Sequence, residues 1–484
     1  MLFLGTLFFV TTSDSVIDND IWHLMALFRE ILRLGYVPYH DTFAYTPTIY
    51  PCVIHEWGAG AIAYFLAHFF GGTGIHAFIS ILVFFIAFFI VRCNQLRKSN
   101  LLIFFLLIPI AIALGISSFK TFRAQIYSYF FFSLFLYFIE LDRRGNRTWI
   151  EYWIPCYILW VNLHAGFLLG LILWCMYVAE RWIKKSYQPY HIYLILFMIV
   201  GIVMNPYHIH FYPYLFHAIL MKRPYIEEWN SLWTNKISFT IFMYSLCILF
   251  YSLKEGVKQK WNFFFAIIVW SILTLLSQRI IIFYAIIWIS LLPSMLLNMK
   301  IESILISYWQ KMSKILLLIF FFSFIILLCR FIYSESWRII VPNQKIEKLG
   351  KHLVYPVGIK EYLMKYKFEG KIMVDFNVGA YLIWKRYPKI RIAIDSRYEA
   401  VYPASFFIEI YDLYYAKGEW QNTLSENKSD VMIVRNDLPI ANKMDTLDGW
   451  KKVYKDNTFS LYATQNSHLP YEDHSEESFF DTFP

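Results

Sequence analysis

Charge is scarce in this chain. Only 16% of its 484 residues are Asp, Glu, Lys or Arg, against about a quarter in a soluble domain, and that deficit argues against a single water-soluble globule. Cysteine is scarcer still. Six residues, Cys52, Cys93, Cys156, Cys175, Cys247 and Cys329, are scattered without a CxxC pair, which excludes a disulfide framework and a cysteine metal site of the usual spacing. A Walker loop, a GxGxxG turn and a GxSxG elbow are absent as well, so nucleotide hydrolysis and serine-hydrolase chemistry lack support.

What is present is apolar and blocky: 58% of residues are hydrophobic and 20% aromatic, in runs such as Ile79 to Val91, Leu101 to Leu114 and Ile315 to Leu328. Repeated blocks of that kind mean a polytopic membrane protein. The expected fold is mostly α, a transmembrane bundle over residues 1–333, with spans near 1–12, 75–91, 101–118, 125–140, 150–163, 166–180, 191–205, 237–253, 262–277, 280–297 and 315–333. That is about eleven spans. The first is short for a crossing, at about 18 Å against a hydrocarbon core of roughly 30 Å, and no basic region precedes it, which points to a missing N-terminal extension.

Basic residues gather in alternate loops: Arg92, Arg97, Lys98; Arg143, Arg144, Arg147; Arg181, Lys184, Lys185; Lys254, Lys258, Lys260; and Lys300, Lys311, Lys314. Those loops should face the cytoplasm, which leaves the loop 13–74 and the tail from Ser334 outside. The formal charge of +9 belongs wholly to the membrane half, because the tail has 20 basic and 21 acidic residues. Fifteen of the 24 basic residues before Ser334 lie in the five clusters, where they set topology and need no nucleic acid partner.

The tail changes character. Lys371 to Asp375, Arg391 to Asp395 and Asp430 to Val434 read as short buried strands, and Val378 to Lys385 and Ala404 to Tyr415 as helices. Their alternation predicts an extracytoplasmic α/β domain over 334–470. Residues 471–484, with Glu472, Asp473, Glu476 and Glu477, read as a disordered end.

Chemistry points to the outer loop Ser13 to Gly74. Asp18 and Asp20 precede apolar residues at Ile21, Leu24, Met25, Phe28, Ile31 and Leu32, the spacing of one helix face. Gly35 stops that helix, which is too polar on its other face to span and should lie along the membrane surface. An extended passage from Pro38 to Pro51 leads to His55, Glu56 and Trp57, which open a second short helix reaching Phe70. Asp20 is equally well placed to cap its helix, and His55 and Glu56 to form a solvated helix start or, less readily, a metal site. Lys120, Arg123, Asn162, His164, Asn205, His208, His210, Lys222, Arg223, Gln278 and Arg279 all map to the same outer side. Each alone reads as a headgroup contact; together they suggest a polar cavity whose cations suit a phosphate-bearing lipid. Asp375, Asp395 and Arg397 sit at strand ends in the tail, where an Asp-Arg pair fixing a loop is the simpler reading and acceptor recognition the alternative.

This order of elements resembles the GT-C membrane glycosyltransferases, among them protein O-mannosyltransferases and lipid A aminoarabinose transferases. Asp20, Arg29 and Gly35 match their offsets, whereas Ile21 stands where they carry a second acid and His55-Glu56-Trp57 where they carry Pro-Pro. A closer likeness is to a group of bacterial membrane proteins placed near those enzymes. It rests on Asp18 to Leu24, His55 to Trp57, Asn162 to Gly166, Asn205 to Tyr207, Gln278 with Arg279, and Ile394 to Arg397. The resemblance implies a bacterial inner-membrane enzyme using a polyprenyl-phosphate sugar from the bilayer as donor and an unknown glycan, lipid or protein as acceptor. In that reading Asp20, with Asp18 second, is the base. His55, Glu56, Arg123, His164, Arg223 and Arg279 bind substrate, and a divalent metal is left open. The alternative is a non-enzymatic membrane protein, a lipid or glycan transporter or an envelope assembly factor.

Overall fold

A computed structural model of the chain describes residues 17–115, 122–221, 223, 226–253, 264–297, 338–344 and 353–484, with isolated positions between 304 and 333. The expected span at 1–12, most of that at 315–333, Lys120, Lys222 and the basic cluster Lys254, Lys258, Lys260 lie outside the described residues.

The described part is mostly helical. The helices before the C-terminal domain are α1 (Asn19–Leu34), α2 (Trp57–Leu96), α3 (Leu101–Gly115), α4 (Gln125–Arg143), α5 (Trp149–Leu163) and α6 (Phe167–Ile183), followed by α7 (Tyr190–Val200), α8 (Phe211–Leu220), α9 (Lys236–Leu253), α10 (Phe264–Leu276) and α11 (Ile281–Met295). They fall close to the expected positions, but eleven spans are not supported. Among the described residues three stretches are both long and apolar enough to cross a membrane: α2, α9 and Gln278–Met295, which contains α11. Tyr190–Val203 and His208–Leu220, bent by 106°, add a fourth if they count as one broken span. The others fall short for physical reasons. Helices α3 and α10 have 15 and 13 residues, roughly 20 Å at 1.5 Å per residue, and α4 and α6 carry Glu140, Asp142 and Glu180 near their ends.

Local sequence explains how α1 and α2 begin and bend. The cap of α1 is Asp18, not Asp20: Asp18 Oδ1 accepts the Asp20 N–H at 3.2 Å, and Asp20 sits in the first turn. The Gly35 N–H closes the other end on the Ile31 carbonyl at 2.8 Å. The second outer helix and the span 75–91 are one element, α2, broken at Gly71 (φ 58°, ψ −153°), backbone geometry that only glycine adopts cheaply.

The C-terminal domain is α/β. Its helices are α12 (Val357–Lys365), α13 (Gly379–Arg386), α14 (Ala404–Tyr414), α15 (Trp420–Glu426) and α16 (Ile440–Met444). Its strands are β1 (Ile340–Pro342), β2 (Gly370–Met373), β3 (Ile390–Ile392), β4 (Val431–Arg435), β5 (Trp450–Asp456), β6 (Phe459–Thr464), β7 (Glu472–His474) and β8 (Phe480–Thr482). Six of them form one mixed sheet in the order β3-β2-β4-β6-β5-β7, in which β3, β2 and β4 run parallel. All of β4 but its final Arg435 is buried, as an apolar run in a parallel sheet should be.

The end of the chain corrects the expectation of disorder over 471–484. Strand β7 pairs with β5 and β8 with β1. Its acids are matched by partners: Asp481 accepts from Tyr381 Oη at 2.6 Å and pairs with Lys360 and Lys385, both at 3.1 Å, while Glu472 pairs with Lys365.

The stretch 17–56 packs into this domain. Phe43 and Tyr45 hydrogen-bond with Ile392 along the open edge of β3, which covers the unpaired strand. Arg29 donates to the carbonyls of Ile383 and Trp384 at 3.1 and 2.8 Å, satisfying the last carbonyls of α13 where a cation is favoured. Trp22 is fully buried among Tyr355, Tyr381 and Phe483. Arg397 lies between Asp395 and Asp41, all three buried, with Nε 2.8 Å from Asp395 Oδ1. The Asp-Arg pair therefore fixes a loop. Arg397→Ala leaves two buried carboxylates unpaired and should lower stability by about 3–5 kcal/mol. The expected readouts are a lower melting temperature in detergent and faster proteolysis after residue 35; unchanged values for both would contradict this role for Arg397.

Candidate functional site

Where one set of helix ends meets the α/β domain, a cavity of about 930 Å³ opens. All eight residues singled out in the sequence line it: Asp18, Asp20, His55, Glu56, Arg123, His164, Arg223 and Arg279. Not every polar residue of that side belongs to it. Asn162 accepts from Trp57 Nε1 at 3.0 Å and donates to the carbonyls of Ile158 and Met204, fastening α5 to α2. Asn205 folds the turn before Tyr207, and His208 and His210 are exposed outside the cavity lining.

One wall carries the acids. Asp18 is buried and accepts from Arg123 Nε at 2.8 Å, and Arg123 also contacts Glu228. Asp20, in the first turn of α1, is half-buried and lines the cavity. Burial among the walls, then the charge of Asp18, push its carboxyl up to about 8 despite the nearby Arg123. Beside it His23 is buried, with Nδ1 3.0 Å from Ser396 Oγ, and burial lowers its pKa to about 4.

Glu56 has the opposite character. Burial would raise its pKa, but contact with His55 and the positive charge of Arg279 outweigh that and hold it at about 2. His55 Nε2 and His164 Nε2 stand 3.5 and 3.6 Å from Glu56 Oε1. The tautomer of His164 is set by its neighbours. Its Nδ1 accepts the Gly166 N–H at 2.9 Å and lies 2.7 Å from Ser128 Oγ, which itself accepts from Trp160 Nε1. A neutral His164, favoured because burial lowers its pKa to about 3, thus carries its proton on Nε2, toward Glu56. A side chain at position 166 would clash, since its Cβ would stand 2.2 Å from Ser128 Oγ. Among the described residues no group of three or more His, Cys, Asp or Glu is arranged to hold a metal ion, and a protonated Nε2 is not a metal donor.

The cations are not equivalent. Arg223 pairs with Glu399 at 2.9 Å and lies 4.1 Å from the centre of the Trp229 ring. Arg279 lies 5.0 Å from the same ring. With the Gln125 amide turned to satisfy its neighbours, Gln125 accepts from Arg279 Nε at 2.8 Å. Among the described residues no carboxylate forms an ion pair with Arg279, so it has the most capacity for an incoming anion. The remaining wall is apolar: Leu169 and Ile172 of α6, Leu215 and Ile219 of α8, and Leu273 of α10. Ile172 and Ile219 line the cavity and are also exposed.

Several lining residues were not singled out in the sequence. Glu228 and Trp229 come shortly after a stretch already noted for Lys222 and Arg223, and two acids beside a tryptophan in an apolar chain were an available signal. His23 lies within the motif that begins at Asp18. Ser396 lies within the stretch Ile394 to Arg397, whereas Glu399 and Gln125 carry no local signal, because the fold alone brings them there.

No known protein family and no curated protein matches the chain. What it does must be argued from this cavity.

Because the Asp20 carboxyl is raised in the fold above its ordinary value of 3.8, the folded state holds its proton longer than the unfolded chain does. Asp20 should therefore weaken the fold progressively as pH rises from about 4 to about 8. Asp20→Asn should lose less melting temperature over that interval than the wild type. Asp18→Asn, which removes the like charge, should shift the infrared carboxyl titration of Asp20 acidward by on the order of one unit. An Asp20 band already titrated at pH 5 in the wild type would overturn the assignment.

Proposed function

We propose that this protein is a polytopic membrane glycosyltransferase of GT-C type that moves a sugar from a polyprenyl phosphate to an acceptor on the outer face of a bacterial inner membrane. In this reading the long apolar helices form the membrane-spanning part, and the α/β domain lies outside the cytoplasm. The observation that carries the proposal is a single cavity in which a high-pKa carboxylate, three arginines and an apolar wall meet.

Each part has a chemical role. An acceptor hydroxyl is a poor nucleophile until a base takes its proton, and a base serves best when its pKa lies near the working pH. Asp20, at about 8, is a stronger base than an ordinary carboxylate. As its ionised oxygen takes the hydroxyl proton, the acceptor oxygen bonds to the anomeric carbon and the bond from that carbon to the phosphate oxygen breaks. Configuration inverts, and the polyprenyl phosphate leaves with the electron pair and gains negative charge. Arg279 meets that charge directly, and Arg123 and Arg223 support it once they share their carboxylates. Asp20 then loses its proton to water. Glu56, ionised at all working pH values and bracketed by His55 and His164, supplies fixed negative charge for a sugar carbon that becomes cationic in the transition state. The apolar wall suits a polyprenyl chain entering from lipid. These features favour transfer over transport, since the acids and arginines of the cavity gather at one end of the helices.

Transfer from a labelled polyprenyl-phosphate sugar by the protein in vesicles is the direct test. Asp20→Asn should reduce it by on the order of 100-fold or more. Wild-type transfer should rise with pH to a plateau above about 8, because the base must be ionised. Arg279→Ala should weaken donor use more than Arg223→Ala. Transfer that is undiminished in Asp20→Asn would reject the mechanism.

A further inference from the structure

The carboxyl ends of the parallel strands open into the same cavity, and they hold a second group of side chains that the transfer step leaves unused. Strand β2 lies between β3 and β4 and is parallel to both. The chain leaves β2 for β3 on one side and returns to β4 on the other, so its connections diverge at the ends of β2 and β4. Open parallel sheets form a ligand-binding crevice at such a point. The end of β3 is already occupied: Asp395 and Arg397 hold Asp41, and Ser396 meets His23.

The crevice itself is lined by Asp375 and Asn377 after β2, Arg435 ending β4, and Tyr411 and Tyr415 along α14 and just beyond it. Asp375 is half-buried, its Oδ1 accepts the Asn377 N–H at 2.6 Å, and burial holds its pKa above the ordinary value. Among the described residues it forms no ion pair; Arg435 is engaged by Asp437, Nε to Oδ1 at 2.6 Å and Nη2 to Oδ2 at 3.0 Å. The rings of Tyr411 and Tyr415 stack with centroids 4.3 Å apart, and Tyr415 is 39% exposed.

We infer that this crevice is the acceptor subsite and that the acceptor is a carbohydrate; the word acceptor rests on the transfer proposed above. The juxtaposition of stacked tyrosines with Asp375, Asn377 and Arg435 is the argument. A pyranose ring has an apolar C–H face, which packs on an aromatic ring, and a rim of hydroxyls that both donate and accept. The crevice supplies the matching set: ring faces at Tyr411 and Tyr415, an acceptor at Asp375, donors at Arg435, and groups of both kinds at Asn377. A phosphate-bearing ligand fits it worse, because Asp375 repels it while the arginines of the other half of the cavity attract it. The cavity is thus divided by chemistry, a cationic, apolar-walled half for the lipid-linked donor and an aromatic half of mixed polarity for a sugar acceptor.

Full-length protein in lipid nanodiscs, applied to an array of defined bacterial surface oligosaccharides, tests this without requiring turnover. The wild type should retain a subset of the glycans. Asp375→Asn and Tyr415→Ala should each lower that retention at least tenfold, with melting temperatures that show the fold intact, and Tyr415→Phe should keep it. Asp20→Asn, which removes transfer, should leave retention within twofold. Retention unchanged in Asp375→Asn and Tyr415→Ala overturns the subsite, and so does a wild type that retains no glycan, whether or not it transfers sugar. Retention that depends on Asp375 in a protein with no transfer activity supports the carbohydrate site while rejecting the enzyme.

Discussion

The placement of Arg397 between Asp395 and Asp41 is the contact on which the C-terminal domain and the cavity depend. One guanidinium, buried with both carboxylates, joins the loop after α1 to the end of β3. Removing charges from water is costly, and only close pairing offsets it, so the loop and the sheet can be buried against each other in this register alone. That register sets the neighbouring contacts. Phe43 and Tyr45 continue the edge of β3, Ser396 comes within hydrogen-bonding distance of His23, and α1 is held with Asp18 and Asp20 facing inward. The cavity exists because two parts of the chain far apart in sequence are locked across it.

Much of this could be read from local pattern, and the failures share one cause. The apolar spacing from Ile21 to Leu32 marked α1, and the alternation of apolar runs in the tail marked β2, β3 and β4 to within three residues. Asp18, Asp20, His55 and Glu56 stood out because charge is rare in their surroundings. What local pattern misled about was partnership. The acid-rich end at 471–484 reads as solvated until Lys360, Lys365 and Lys385, about a hundred residues away, are brought beside it. Asp20 reads as a cap in sequence, but Asp18, two residues earlier, takes that place. Arg29 has no evident purpose in sequence, yet it binds the carbonyl end of α13. The span count erred differently, because apolar content was legible while helix length and bending, such as the 106° turn between α7 and α8, were not.

The same low-dielectric surroundings give the two acids of the cavity opposite characters. Asp20 faces Asp18 and a desolvating wall, and its carboxyl is raised; Glu56 faces His55 and Arg279, and its carboxyl is lowered. Environments that drive two carboxylates apart in this way are how a site divides proton transfer from charge stabilisation. Neither character belongs to the residue type. It is set by which neighbours the fold supplies, and in each case some of those neighbours come from a different helix.

The cations show how such a site can hold an anion and still release it. Arg123 is shared by Asp18 and Glu228, and Arg223 is paired with Glu399, so a phosphate gains from either only by displacing a carboxylate already in contact. Arg279, resting near Trp229 and held by a neutral amide, has no such competitor among the described residues. An anion would therefore bind first at Arg279 and draw on the other two as its charge grows, because a stronger anion competes better for a guanidinium. Interactions that strengthen as charge develops, and are weaker before and after, are the ones that lower a barrier without trapping the ligand. In an empty cavity the internal carboxylates also keep the arginines from being buried unpaired, so the feature that tempers binding is the one that makes the cavity stable.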